Sequence, residues 1–207
     1  MIKKASALTF PDWAGRPIYQ DSEGWPVIRQ FSPSDLDATT GLTDISHRPK
    51  AMMNGIGDAG VPHVKPGQAI WNGQAYIAGI KPGEALVFDL TGPLKPQWPS
   101  SDYTDLTDAL VLLALWGDSA KDVMQRMAAV DIEQPGRPGP FFLTTRCHSI
   151  ILHVLNCNTR IPVFLLSCVR SHGQNLLDTA LESGRHLGLR PAGLTVFLQK
   201  SEHGIRA

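Results

Sequence analysis

Cys147, His148, His153 and Cys157 crowd metal-ligating side chains into one short stretch. Thiolates and imidazoles are zinc ligands, but structural zinc sites present their cysteines in tight turns of the Cys-x-x-Cys kind, and that spacing is absent. Cys147, His153 and Cys157 share one face only if a strand runs unbroken through them, with His148 turned to the other side. The expectation is core cysteines and a satisfied histidine, with no metal. Ser46 and His47 have the types of a nucleophile and a base. Neighbours on an extended segment point apart, and no Gly-x-Ser-x-Gly elbow accompanies them. Neither a Walker phosphate loop nor a Gly-x-Gly-x-x-Gly turn occurs. No catalytic residue is assigned on these grounds.

Asp44 and Asp105 occupy the same place in a repeated phrase. Thr43-Asp44-Ile45-Ser46 precedes Lys50-Ala51-Met52-Met53-Asn54-Gly55, and Thr104-Asp105-Leu106-Thr107 precedes an apolar run from Ala109 to Trp116 with Gly117-Asp118 after it. Two copies are too few for a solenoid and predict two similar half-domains packed together. An aspartate at such a position predicts a side-chain turn cap before it predicts acid-base chemistry.

The elements around these residues follow from pattern and turn chemistry. Residues 1–33 mix Trp13, Tyr19, Trp25 and Phe31 with Pro11, Pro17, Pro26 and Pro33, which predicts an irregular arm pinned by its aromatics; a partner-docking segment is the other reading. Residues 34–90 form the expected first half-domain, 91–101 a proline-rich linker and 102–207 the second half-domain. In the first half, 50–54 reads as a short strand. Segments 74–80 and 84–90 read as a hairpin about Lys81-Pro82-Gly83. In the second, Ala109–Trp116 reads as a buried strand and Ser119 with Asp122 as a helix capping box. Val123, Met124, Met127 and Ala128 supply that helix's apolar face. Phe141–Thr145, Ser149–Leu155 and Pro162–Val169 read as strands. A helix from near Ser171 ends at Gly188, and Ala192–Leu198 reads as a last strand. This order resembles a ferredoxin-like split βαβ unit.

Composition narrows the class. The chain has 207 residues, 43% hydrophobic and 18% charged, enough apolar material for a core. Lys plus Arg and Asp plus Glu are each 19, so the formal net charge is zero and the chain carries no footprint for nucleic acid or an anionic membrane. Little charge repulsion opposes association of copies or partners. Three cysteines without scaffold spacing, no long apolar segment and no signal-peptide core together predict a cytoplasmic location.

The phrase Gly41-Leu42-Thr43-Asp44-Ile45-Ser46-His47 resembles the Gly-Leu-x-Asp-Val-Ser-His phrase of glycine-cleavage T-proteins, the aminomethyltransferases. Three further landmarks follow in that family's order: Gly117-Asp118-Ser119-Ala120-Lys121-Asp122-Val123, then Val130-Asp131-Ile132, then Leu177–Gly184 with Gly188-Leu189-Arg190-Pro191-Ala192-Gly193-Leu194. They span residues 41–198. The resemblance implies an α+β fold of two related ferredoxin-like half-domains of the T-protein folate-binding type. It implies tetrahydrofolate as a possible cofactor, with Asp44, His47 and Asn72 as the candidate folate-pocket residues.

Departures from the family are informative. Its catalytic aspartate corresponds to the Ile70-Trp71-Asn72-Gly73-Gln74 stretch, which has no carboxylate. Its folate-gripping glutamate corresponds to Phe164, and its Ala-Arg-Asp motif to Thr195-Val196-Phe197. No counterpart of the family's C-terminal barrel domain is expected within these 207 residues. Ile80-Lys81-Pro82-Gly83-Glu84-Ala85-Leu86-Val87 resembles a phrase of the small gamma subunit of heterotetrameric sarcosine oxidase, regarded as non-catalytic. The resemblance therefore implies an accessory subunit in one-carbon or methylamine metabolism, with protein partner subunits. A tetrahydrofolate-dependent aminomethyltransferase or methyltransferase is the alternative. A stand-alone folate-binding regulator is a third.

Overall fold

The computed structural model describes residues 4–32, 35–55, 63–91, 102–132 and 139–205. An N-terminal hairpin pairs β1 (Arg16–Ser22) with β2 (Trp25–Ser32). The segment expected to be irregular thus contains regular structure. Prolines Pro17 and Pro26 are tolerated because a two-stranded ribbon consists only of edges, where a missing N–H is harmless. The reading of its aromatics splits: Trp25 and Phe31 are buried, whereas Trp13 and Tyr19 are exposed.

Further along come β3 (Thr40–Asp44), β4 (Lys50–Asn54), β5 (Ala69–Trp71), β6 (Ala75–Lys81) and β7 (Glu84–Asp89). β6 and β7 form the hairpin expected about Lys81-Pro82-Gly83, with Gly83 at φ 79°. The expected linker lies almost wholly outside the described residues. Beyond it are β8 (Tyr103–Asp105), β9 (Leu110–Gly117), helix α1 (Ala120–Met127), β10 (Phe141–Cys147), β11 (Ile150–Asn156), β12 (Val163–Val169), helix α2 (Gly173–Gly184), β13 (Arg190–Pro191) and helix α3 (Leu194–Ile205).

Two sheets carry the architecture. One has the order β10-β11-β12-β9-β3-β13, the other β5-β6-β7-β4-β8. The half-domains expected from the sequence are interleaved in them. β3, from the first half, pairs with β9, and β8, from the second, pairs with β4. The second half also departs from a split βαβ unit. Three strands, not two, form a meander between α1 and α2, and β9 pairs antiparallel with β12.

β9 lies at the centre with both faces covered. Leu110, Leu112, Ala114 and Trp116 enter the core between the sheets. Val111, Leu113 and Leu115 enter the core beneath α1 and α2. A continuous apolar run is the signature of such a doubly covered strand, and each fully buried leucine contributes roughly 1.5–3 kcal/mol. α1 buries Ala120, Val123, Met124 and Met127, spaced three and four apart. The capping box does not form: Ser119 makes no side-chain cap bond, and its N–H donates to Thr40 Oγ1 at 3.1 Å. α2 ends as expected at Gly188, in the left-handed region after a single 3₁₀ turn.

The last expected strand is a helix. Only Arg190 and Pro191 pair with β3, and α3 begins at Leu194. Asp35 Oδ2 accepts the Gly193 N–H at 2.6 Å, a cap supplied from far along the chain. A short apolar run cannot distinguish a strand from a buried helix by periodicity alone, and tertiary contacts decided it.

Candidate functional site

The repeated phrase builds a reciprocal clasp where the chain passes between the sheets. Asp44 Oδ1 accepts the Ser46 N–H at 2.9 Å, and Asp105 Oδ1 accepts the Thr107 N–H at 2.8 Å. Both aspartates are therefore turn caps, as their position predicts. Each turn then grips the other half. Ile45 N–H donates to Leu112 C=O (2.9 Å), and Leu106 N–H to Lys50 C=O (2.8 Å). Ser46 Oγ accepts the Leu112 N–H (3.0 Å), and Thr107 Oγ1 accepts the Lys50 N–H (3.1 Å).

Beside the first turn lies a cluster of buried polar groups. The Lys50 side chain is fully buried, and its Nζ donates to Ser46 C=O at 2.7 Å and Arg48 C=O at 2.8 Å. Burial pulls the Lys50 ammonium down to about 7, against the opposing charges of Asp44, Asp105 and Asp108. His47 is pushed down to about 3 by burial, helped by the charges of Arg48 and Lys50, so its imidazole is neutral at physiological pH. Burial also lowers Arg48, with Asp89 working the other way. Asp89 in turn accepts Gln74 Nε2 at 2.6 Å and the Thr91 N–H at 3.2 Å.

The three candidate pocket residues fare differently. Asp44 and His47 belong to one turn. Asp44 also accepts the Ser6 hydroxyl, and it lines a cleft of about 230 Å³ with Ser6, Tyr19, Pro26 and Ile28. That volume lies below the roughly 300–1,000 Å³ of small-molecule pockets. Asn72 sits in the β5–β6 turn, where its Oδ1 accepts the N–H groups of Gln74 (3.0 Å) and Ala75 (2.8 Å). Its Oδ1 is engaged by that turn. Neither His47 nor Asn72 lines this cleft or two others bounded by described residues, of about 500 and 330 Å³. Phe164 is buried in the core beneath the helices.

The cysteine and histidine stretch is dispersed by the β10–β11 turn, which breaks the strand at His148, φ 51°. Cys147 enters the helix-side core and Cys157 the inter-sheet core. His153 stacks on Phe142 and shares a hydrogen bond with Thr144 Oγ1 at 3.0 Å. Among the described residues no group of three or more metal-ligating side chains occurs. Burial pushes the Cys157 thiol up to about 12, which makes it inert as a nucleophile.

Lys50 was not singled out from sequence. A comparison of the two copies of the phrase carries the signal: Lys50 takes the place in the clasp that Leu112 takes in the other half, and a fully buried lysine is rare.

Solved structures match this arrangement. A chain of the heterotetrameric sarcosine oxidase from Corynebacterium sp. U-96, in complex with pyrrole 2-carboxylate, superimposes with TM-score 0.59 at 13% identity, covering 72% of this chain and 85% of that one. The glycine cleavage system aminomethyltransferase T from Bartonella henselae superimposes with TM-score 0.68 at 16% identity, covering 94% of this chain. The fold is that of the T-protein. At these identities the likeness establishes the fold, and the chain spans only 61% of that aminomethyltransferase. No protein-family model matches the sequence, and no curated protein matches it. No helix among the described residues is long and apolar enough to cross a membrane.

Proposed function

We infer that this T-protein-fold chain serves as a non-catalytic accessory subunit of a sarcosine-oxidase-like complex in one-carbon or methylamine metabolism. The observation that carries this reading is the commitment of its candidate polar groups to structure. Asp44 and Asn72 spend their oxygens on turn amides, and Phe164 is buried where the T-protein resemblance expects a folate-gripping carboxylate. A general base must reach a substrate proton, and a pterin needs polar partners. The coverage of the matched sarcosine oxidase chain supports the same reading, because that chain is somewhat shorter than this one and belongs to a heterotetramer.

The alternative is a tetrahydrofolate-dependent aminomethyltransferase or methyltransferase. The 94% coverage by the aminomethyltransferase T structure favours it. Calorimetric titration of the purified chain with 5-formyltetrahydrofolate separates the two. The accessory reading expects no saturable heat up to millimolar ligand. One-site binding, together with folate-dependent turnover that falls about a hundredfold in Asp44→Ala or His47→Ala, would replace it with the enzyme reading. Binding without turnover and without a partner would favour a folate-binding regulator.

A further inference from the structure

β10 is the outer strand of the six-stranded sheet, and among the described residues its free edge is paired only at its two ends. At one end Gln68 bridges Phe141, flanked by Ala69 N–H to Pro140 C=O and Phe142 N–H to Gly67 C=O, both 3.1 Å. At the other end Arg146 C=O accepts the Ala129 N–H at 3.2 Å. Backbone groups alternate sides along an antiparallel strand, so the outward Phe142 N–H and Arg146 C=O set the parity. Phe142 C=O, both backbone groups of Thr144 and the Arg146 N–H face the same open side. Among the described residues no backbone group reaches them. The ladder stops because the chain turns away at Gly67, φ 82°, in a Lys65–Gln68 turn closed by the Gln68 N–H on Lys65 C=O at 3.0 Å.

The gap is a cleft of about 500 Å³ whose walls include Pro66, Gly67, Ile80, Phe142 and Thr144. No carboxylate lines it. Lys65 and Arg146 flank it, both exposed and in no ion pair among the described residues. The Phe142–His153 stack and the Thr144–His153 hydrogen bond hold this edge in strand geometry before anything arrives.

We propose that the open edge of β10 receives an extended, acidic segment of a partner protein as an added antiparallel strand. Unpaired edges template such pairing, main-chain bonds supplying affinity and flanking charge supplying selectivity. One incoming residue opposite Thr144 exchanges two hydrogen bonds with it. On one side the residue two positions away reaches the Arg146 N–H; on the other, Gly67 already stands opposite Phe142 and ends the added ladder. The docking edge is independent of folate binding and of what reaction the partner performs.

The test is an amide-resolved NMR titration of the full chain with a capped hexapeptide of alternating valine and glutamate. Saturable shifts centred on Thr144 and Arg146, with their hydrogen exchange slowed by on the order of tenfold, are expected. A fully N-methylated version of the peptide should not bind, and a valine–lysine version should bind several-fold more weakly. Absence of binding at millimolar peptide, or equal binding of the N-methylated version, overturns the proposal. Equal binding of the lysine version overturns its acidic character. Thr144→Pro removes the outward N–H, keeps the backbone hydrogen bonds to β11 while giving up the side-chain bond to His153, and should abolish binding. Should that variant not fold, the double variant Lys65→Glu with Arg146→Glu leaves the backbone edge intact. It should reverse the preference from the glutamate to the lysine peptide, and an unchanged preference rejects the charge assignment.

Discussion

The two turns of the repeated phrase are built alike and occupied differently. In each, an aspartate caps the turn, an aliphatic amide and a hydroxyl reach across, and the opposite half's strand is held at two points. The residue held differs. The second turn grips Lys50 and the first grips Leu112, both without solvent exposure. The shared bonds are therefore scaffold. What separates the halves is a buried amine, installed where the other copy has hydrocarbon.

Replacing the amine gives the largest contrast. Burial holds Lys50 near 7 in the folded chain, against about 10.4 unfolded. Between those values the unfolded chain binds the proton that the folded chain gives up, so stability rises with pH from 7 to 10 and its full cost is felt below 7. A gain of a few kcal/mol is expected across that window, measured by urea unfolding at each pH. Lys50→Met should flatten the window while leaving Ser46 C=O and Arg48 C=O without their donor. Leu112→Met, its counterpart, should leave the window as it is.

The hydroxyls come next. Ser46→Ala strips the acceptor from the buried Leu112 N–H, and Thr107→Ala does the same to the Lys50 N–H. Each should cost about 1–3 kcal/mol by the same unfolding assay. Closely similar values would support the symmetry of the clasp; a large inequality would break it. The aspartates give the smallest effect, about 1 kcal/mol for Asp105→Ala. Asp44→Ala should cost somewhat more, because Asp44 also holds Ser6.

Much of this could be read in advance where local chemistry was decisive. The Lys81-Pro82-Gly83 hairpin, β9, the β10–β12 strands and the stop at Gly188 all carry their own turn residues or periodicity. What escaped was decided at a distance. The helix α3 depends on a cap from Asp35, and β8 is three exposed residues with no pattern to read. Gly41 in β3 carried no structural expectation. It is glycine because a Cβ there would lie 2.2 Å from the Trp116 ring, a contact visible only once both strands share a sheet. The candidate pocket residues have a second role that was not legible for Asn72: Asp44 and Asn72 each accept the N–H groups of their own turns.

The clasp also governs how the chain can reach its native state. Its defining bonds join residues 57 and 66 positions apart, and each sheet borrows a strand from the opposite half. Neither half can complete its own sheet first and dock afterwards. Loop closure must precede most of the stabilising contacts, which makes for slow, highly cooperative folding. The halves are joined like two exchanged arms of a swapped dimer that a single polypeptide has made permanent.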